Sequence, residues 1–413
     1  LNDNAIGIDP SVGALKDYLT SVKKGENPKE NNMIKSLHFD YSGPIDGHDL
    51  RALILELERL KRKKGPRFLH VITTKGKGLK KAEENQVLYH APGKFDKSSG
   101  DLIKTNEPKL PKYQEVFGKT LLEMARNNPH IYAITPAMPT GSSLRYMMNE
   151  FPERAIDVGI AEQHALTLGA GMATQGLKVY ACVYSTFLQR AYDQVIHDVA
   201  LQNIPLVICI DRAGLVGEDG ATHQGVFDIA YLLPIPNMTL WAPKDAIDLR
   251  LALYNSQFFS SGPLAIRYPR GNSSVTNWNV PLEKKSFHTT EIITKGKKIA
   301  VVSTGTVYGE VKKAFEIGKY DFSHYHVTQI KPLPENLIDI LEEYEQVVTI
   351  EEGCKIGGFG SMITNLLAQK KSTVQVHMLG VPDVFIEHAK HQEQLQMCGL
   401  DALSIAEYLE SLL

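Results

Sequence analysis

A short apolar run at residues 155–160 leads into Glu162-Gln163-His164, and small residues then follow through Ala173. A carboxylate beside an imidazole can do proton-transfer chemistry, provided both groups face one ligand. Other apolar runs end in equally informative polar residues. Residues 179–183 lead into Tyr184-Ser185-Thr186-Phe187-Leu188-Gln189-Arg190, and 205–210 into Asp211-Arg212 and a loop with Glu218, Asp219 and His223. The run 264–267 closes on Arg267-Tyr268-Pro269-Arg270. Arginines gathered this way suit a phosphate or a carboxylate, because the guanidinium fork matches paired oxygens. Taken singly, each charge is as well explained as a solvated loop residue. Agreement among several strand ends favours an anionic small-molecule site. Two glycine motifs, Lys75-Gly76-Lys77-Gly78 and Gly357-Gly358-Phe359-Gly360, complete neither a dinucleotide nor a P-loop fingerprint, and tight turns account for both.

These residues need strands that deliver them to one edge. From Tyr113, apolar runs at 131–134, 155–160, 179–183, 205–210, 238–241 and 264–267 alternate with helical segments at 113–127, 162–175, 186–202 and 244–257. The alternation predicts a mainly parallel sheet wrapped by helices, with ligands beyond the carboxyl ends of its strands. Ala165, Gly169 and Ala173 recur every four residues, giving the helix behind Glu162 a flat face for close packing. That face would hold the glutamate, and His164 reads as support.

Upstream, Asp49 reads as the N-cap of an apolar-periodic helix (Leu50, Leu53, Ile54, Leu57, Leu60) running to Lys64, and 68–72 as a strand. The polar segment 97–111 reads as a linker. Beyond Asn272-Ser273-Ser274, runs at 299–302, 325–327, 347–350 and 374–376 again alternate with helices. The expected fold class is α/β with mainly parallel sheets in three domains: 1–110, incomplete and including the linker, then 111–280 and 281–413.

Composition narrows the function classes. The 413 residues are 43% hydrophobic and 22% charged with net charge −2, so no global field favours nucleic acid or an acidic membrane. The basic run Lys61-Arg62-Lys63-Lys64 closes a helix, where cations complement the dipole. Four scattered cysteines form no CxxC pair, and Cys182 and Cys209 read as buried thiols of a reducing compartment. No run reaches the roughly 18 apolar residues of a membrane span. The start, Leu1-Asn2-Asp3-Asn4, lacks signal-peptide character and reads as the end of a strand whose beginning is absent.

The stretch Asp157-Val158-Gly159-Ile160-Ala161-Glu162-Gln163-His164, the run from Tyr184 through Gln194 and the run from Asp211 through Gly217 closely resemble the 1-deoxy-D-xylulose-5-phosphate synthase family. Thr222-His223-Gln224-Gly225, Arg267-Tyr268-Pro269-Arg270-Gly271, residues 43–49 and residues 89–96 match the same family. The resemblance implies three transketolase-like α/β domains in a cytoplasmic homodimer. It also implies a thiamine-diphosphate enzyme with Mg2+ that condenses pyruvate with D-glyceraldehyde 3-phosphate and releases carbon dioxide. The product would feed isoprenoid precursors and, in bacteria, thiamine and pyridoxal phosphate synthesis.

Residue by residue, the resemblance gives Glu162 the aminopyrimidine of the cofactor, where a carboxylate favours the imino tautomer that takes the thiazolium proton. Phe187 would lie against the same ring, with Leu79 where many relatives have an aromatic. Asn4 and the carbonyl of Ile6 would complete the magnesium site. Arg212 and Arg270 would clamp the aldehyde's phosphate, with Tyr184 and Arg190 nearby. Asp219 and His223 would meet the acceptor's hydroxyl and carbonyl groups, and His90 the reacting carbon. His48 and His70 read as structural.

The family's Gly-Asp-Gly diphosphate motif and an N-terminal histidine are not among the 413 residues, and the connection between residues 18 and 39 is shorter than usual. Two expectations follow: a complete enzyme with segments outside the numbered chain, or a fragment lacking half the cofactor site. Alternative functions are another thiamine-diphosphate carboligase or dehydrogenase component, and an inactive dimerising fragment. The arginine pair argues against a substrate without phosphate.

Overall fold

The computed structural model describes residues 1–7, 9–24, 33–90, 92–103 and 110–413, which fall into two compact units. The first comprises Leu1–Pro108 with Asp157–Ile160. Its three strands, β1 (Asn2–Asp3), β2 (Asp40–Asp46) and β3 (Arg67–Ile72), form a parallel sheet in the order β1-β3-β2. A buried polar chain crosses it: His70 Nδ1 lies 2.9 Å from the Tyr41 hydroxyl and Nε2 lies 3.0 Å from Asp3 Oδ2. His70 is thus structural. Asp49 caps the helix Leu50–Lys61 by accepting the Ala52 N–H. The basic run at its end is partly paired, Lys63 bonding Asp40. Leu60 is buried, but Leu50, Ile54 and Leu57 on the same helix are exposed. Residues 104–109 of the expected linker lie outside the described residues.

The second unit comprises Lys109–Ile156 and Ala161–Leu413. Its strands are β4 (Ile131–Thr135), β5 (Ala155–Asp157), β6 (Lys178–Tyr184), β7 (Val207–Asp211), β8 (Thr239–Trp241) and β9 (Leu264–Arg267), then β10 (Thr290–Thr294), β11 (Ile299–Thr304), β12 (Ser323–Val327), β13 (Gln329–Lys331), β14 (Gln346–Cys354) and β15 (Gln375–Val381). Seven strands in the order β13-β8-β9-β7-β6-β4-β5 make one sheet, and β10-β12-β11-β14-β15 the other. The pairs β4–β6, β6–β7, β7–β9 and β8–β9 are parallel, so their carboxyl ends share an edge. Only fully covered parallel strands read as such unbroken apolar runs, and each of these is buried.

The helix Tyr113–Asn127 packs Phe117 and Leu121 with Leu249 and Leu253 of the helix Ala246–Ser256. Ala165, Gly169 and Ala173 are buried as the pattern requires, and a Cβ on Gly169 would stand 3.1 Å from Leu206 Cδ1. Cys182 and Cys209, paired in register across β6 and β7, are buried free thiols whose pKa values burial raises. Among the described residues no helix is long and apolar enough to cross a membrane.

Three differences from the sequence reading have local causes. β5 stops at Asp157, because Asp157 Oδ1 accepts the Gly159 N–H at 2.9 Å and Gly159 turns to a φ of +72°. The segment 186–202 is a chain of short turns (Ser185–Leu188, Gln189–Ala191, Tyr192–Gln194) ending in a π-helical stretch, Val195–Ala200. Strand β13, from the C-terminal third, pairs antiparallel with β8 and so extends the central sheet.

Candidate active site

Within the second unit, Tyr184 ends β6, Asp211 ends β7, and Glu162 opens the helix Glu162–Ala173. The Glu162 side chain is 3% exposed. Arg190 Nη1 lies 2.9 Å from its Oε2, yet that oxygen has no aligned hydrogen-bond donor among the described residues. A buried carboxylate oxygen is thus neutralised by a nearby charge while its donor position stays open. The next histidine, His164, is exposed and its side chain has no hydrogen-bond partner among the described residues, so none of them seats it as support.

The remaining residues of this edge converge. Phe187 stacks on Tyr184 with centroids 5.5 Å apart, and the His223 ring meets Phe187 edge-on at 5.6 Å. The Arg212 guanidinium lies 4.1 Å above the Tyr184 ring and donates to Asp219 Oδ2 at 2.5 Å. Arg270 Nε lies 3.2 Å from the same Asp219 oxygen, and its Nη1 donates to the Val216 carbonyl and to Glu218. Arg212 adopts the left-handed region at φ 56°, and its Nε is buried without a hydrogen-bond partner among the described residues. A non-glycine residue is held there only by its surroundings, and such strain gathers at functional sites. Asp211 beneath it accepts the Arg212 N–H at 2.7 Å, while burial, opposed by Arg212, pushes its carboxyl up to about 7.

Of the sequence candidates, the structure brings together Tyr184, Phe187, Arg212, Asp219, His223 and Arg270. Arg190 pairs with Glu162 instead of joining the other two arginines. Arg267 bonds the buried Asp228 at 3.0 Å and the Glu352 carbonyl at 3.1 Å, which makes it a brace. Gly357-Gly358-Phe359-Gly360 opens the helix Phe359–Gln369, and Glu351 accepts the Phe359 and Gly360 N–H groups, both at 2.9 Å. The chain's own carboxylate therefore fills that anion position.

In the first unit, the residues after the three strands also share an edge. Asn4 Oδ1 accepts the Ile6 N–H at 3.1 Å, and His48 Nε2 accepts the Thr74 N–H at 2.8 Å. Lys75 donates to the Gly7 carbonyl and lies 2.7 Å from His90 Nδ1. A charged Lys75 donating there leaves the proton of neutral His90 on Nε2. Burial, and then the Lys75 charge, lower the His90 pKa from 6.5. Sequence reasoning met Lys75 only within a glycine motif; its position directly after a strand was the available signal. Leu79 is half-buried, close to Gly100. Asn4 and Ile6 offer neutral oxygens, and no group of three or more His, Cys, Asp or Glu among the described residues is placed for a metal.

Three family models match the chain: 1-deoxy-D-xylulose-5-phosphate synthase at residues 27–73, the pyrimidine-binding domain of transketolase at 109–275 and the transketolase C-terminal domain at 288–405. A 1-deoxy-D-xylulose-5-phosphate synthase from Cytophaga hutchinsonii is 42% identical, covering 100% of this chain and 72% of its own length. One from Parabacteroides distasonis is 43% identical over 99% of this chain and 72% of its own. Among solved structures, a split-gene transketolase described as an inactive beta4 tetramer aligns with TM-score 0.63 at 26% identity, over 73% of this chain and 98% of that one. A transketolase from Pichia stipitis aligns with TM-score 0.61 at 16% identity, over 75% of this chain and 46% of that one, and shares the fold.

Proposed function

The chain belongs to the 1-deoxy-D-xylulose-5-phosphate synthase family, and we infer from this that it joins pyruvate to D-glyceraldehyde 3-phosphate, giving 1-deoxy-D-xylulose 5-phosphate and carbon dioxide. It is a transketolase-type transferase that uses thiamine diphosphate and supplies isoprenoid biosynthesis. The observation that carries the substrate class is the arginine pair Arg212 and Arg270 on one carboxylate, Asp219. Two guanidinium groups already converging on one carboxylate oxygen suit a phosphate monoester better than an uncharged aldehyde.

Thiamine diphosphate, when bound, supplies the carbon that accepts pyruvate's carbonyl and stabilises the charge left by decarboxylation. Glu162 suits its aminopyrimidine, because the open donor position on buried Oε2 can be filled by a ring N–H. Phe187 would offer an aromatic face and Leu79 an apolar one. His90, neutral near pH 7 with its proton on Nε2, can give a proton to a carbonyl oxygen and recover it. Arg212 and Arg270 would bind the phosphate, with Tyr184 packing under Arg212. Asp219 and His223 would take the acceptor's hydroxyl and carbonyl. Mg2+ would rest on Asn4 Oδ1 and the Ile6 carbonyl with diphosphate oxygens completing its shell, since two neutral ligands alone do not hold it. A cytoplasmic homodimer completes the reading.

The test is carbon dioxide release from pyruvate by the full-length protein, with and without thiamine diphosphate and D-glyceraldehyde 3-phosphate. Release that requires both is expected. Absence of any cofactor-dependent product would reject the reading.

A further inference from the structure

The turn that carries Asp219 is held from a distant part of the chain. Gly217 opens the short 3-10 turn Gly217–Asp219 at φ +71°, and its carbonyl accepts the Gly220 N–H at 3.1 Å, closing the turn around Asp219. Gln394, fully buried in the helix His391–Met397, grips the same residue twice. Its Oε1 accepts the Gly217 N–H at 2.7 Å, and its Nε2 donates to the Gly217 carbonyl at 3.0 Å. The second Nε2 proton goes to the Glu387 carbonyl at 2.8 Å, which fixes the amide's orientation. Two residues earlier, Glu352 Oε1 accepts the Leu215 N–H at 2.8 Å.

We propose that Gln394 is a positioning residue for the aldehyde-phosphate subsite: by fixing both polar groups of Gly217, it sets the direction in which Asp219 leaves the turn to meet Arg212 and Arg270. Among the described residues, all its side-chain hydrogen bonds go to backbone atoms, so it acts through Asp219. Catalytic groups must be held within a fraction of an ångström, and a buried amide bonded at three points does this without touching the ligand. The proposal rests on the reading of Arg212 and Arg270 as a phosphate clamp.

The test uses Gln394→Met, which keeps volume but removes all three bonds, and Gln394→Glu, which keeps the acceptor for Gly217 and covers a folding failure of the first. Both are made in the full-length enzyme, alone and with Asp219→Ala. Expected is a rise of about tenfold in KM for D-glyceraldehyde 3-phosphate, with KM for pyruvate and Kd for thiamine diphosphate moving less than about twofold. With Asp219→Ala already present, the added effect should vanish. An unchanged aldehyde KM, an equal change in all three constants, or a tenfold effect persisting without Asp219 would each overturn the proposal. Calorimetric titration with inorganic phosphate separates the two readings. If no synthase product forms but phosphate affinity still falls about tenfold in the variants, the synthase reading fails and the positioning role stands.

Discussion

The two units hold their strand-end groups by opposite means. In the second, charged side chains brace one another: Asp219 links Arg212 to Arg270, Tyr184 underlies Arg212, and Arg190 faces Glu162. In the first, Asn4 and His48 are tied to backbone N–H groups, and His90 is exposed with Lys75 beside it. A mutually braced set is preorganised, so losing one member removes much of its function. A set tied to backbone keeps its geometry under substitution, and its neighbours tune its protonation. Large losses are therefore expected from the second unit and modest pH shifts from the first.

The sharpest way to break that contrast is Glu162→Ala. Turnover should fall by roughly 10²–10⁴, measured at saturating thiamine diphosphate, with the circular dichroism spectrum retained. Its ion-pair partner Arg190 is about half exposed, so no buried charge is stranded. Near-normal turnover would remove Glu162 from its role.

Stability should follow the same division. Arg267→Met strands Asp228, which is fully buried, and should cost about 3–5 kcal/mol in denaturant unfolding. Arg59→Met removes the guanidinium partner of Glu56 on the first unit's helix and should leave the midpoint unchanged, because that arginine is solvent-exposed. Equal effects from both would show that bracing is not what separates the units.

The second unit was also the more legible in sequence. The strands β7, β8 and β9 at the centre of its larger sheet are buried throughout and read as apolar runs, and β9 and the helix Tyr113–Asn127 match their expected limits. Conversely, β2 contains Gly43 and Pro44 and shows no strand pattern, and β13 is three residues long. The strand-end rule found Glu162, Arg212 and Arg270 because parallel strands bring their carboxyl ends together. It could not find Gln394, which is adjacent to Gly217 only through the fold, nor show that Arg190 turns to Glu162. A buried glutamine in a short helix carries no sequence signal until its partners are known.

Arg212→Lys sits between the extremes. A lysine keeps the charge but loses the fork and the flat contact with Tyr184, so KM for D-glyceraldehyde 3-phosphate should rise by about ten- to a hundredfold. KM for pyruvate should hold, and an equal rise in both would place Arg212 outside the aldehyde subsite.

The smallest effect is expected at Lys75, and its sign is fixed. Burial and the Lys75 charge both lower the His90 pKa below 6.5, so a step needing neutral His90 should lose rate only as pH falls below that value. Lys75→Met removes one of the two causes and favours the protonated ring, so the acid limb of kcat should move upward. Burial, the larger cause, remains, and the limb should stop short of a full return to 6.5. Added salt should move the limb of the unaltered enzyme the same way, because His90 is exposed enough for screening to reach it, and should do little in the variant. Arg212→Lys, by contrast, should leave the limb in place. A limb that ignores Lys75 but follows Arg212 would assign the titration to the braced unit and detach His90 from proton transfer.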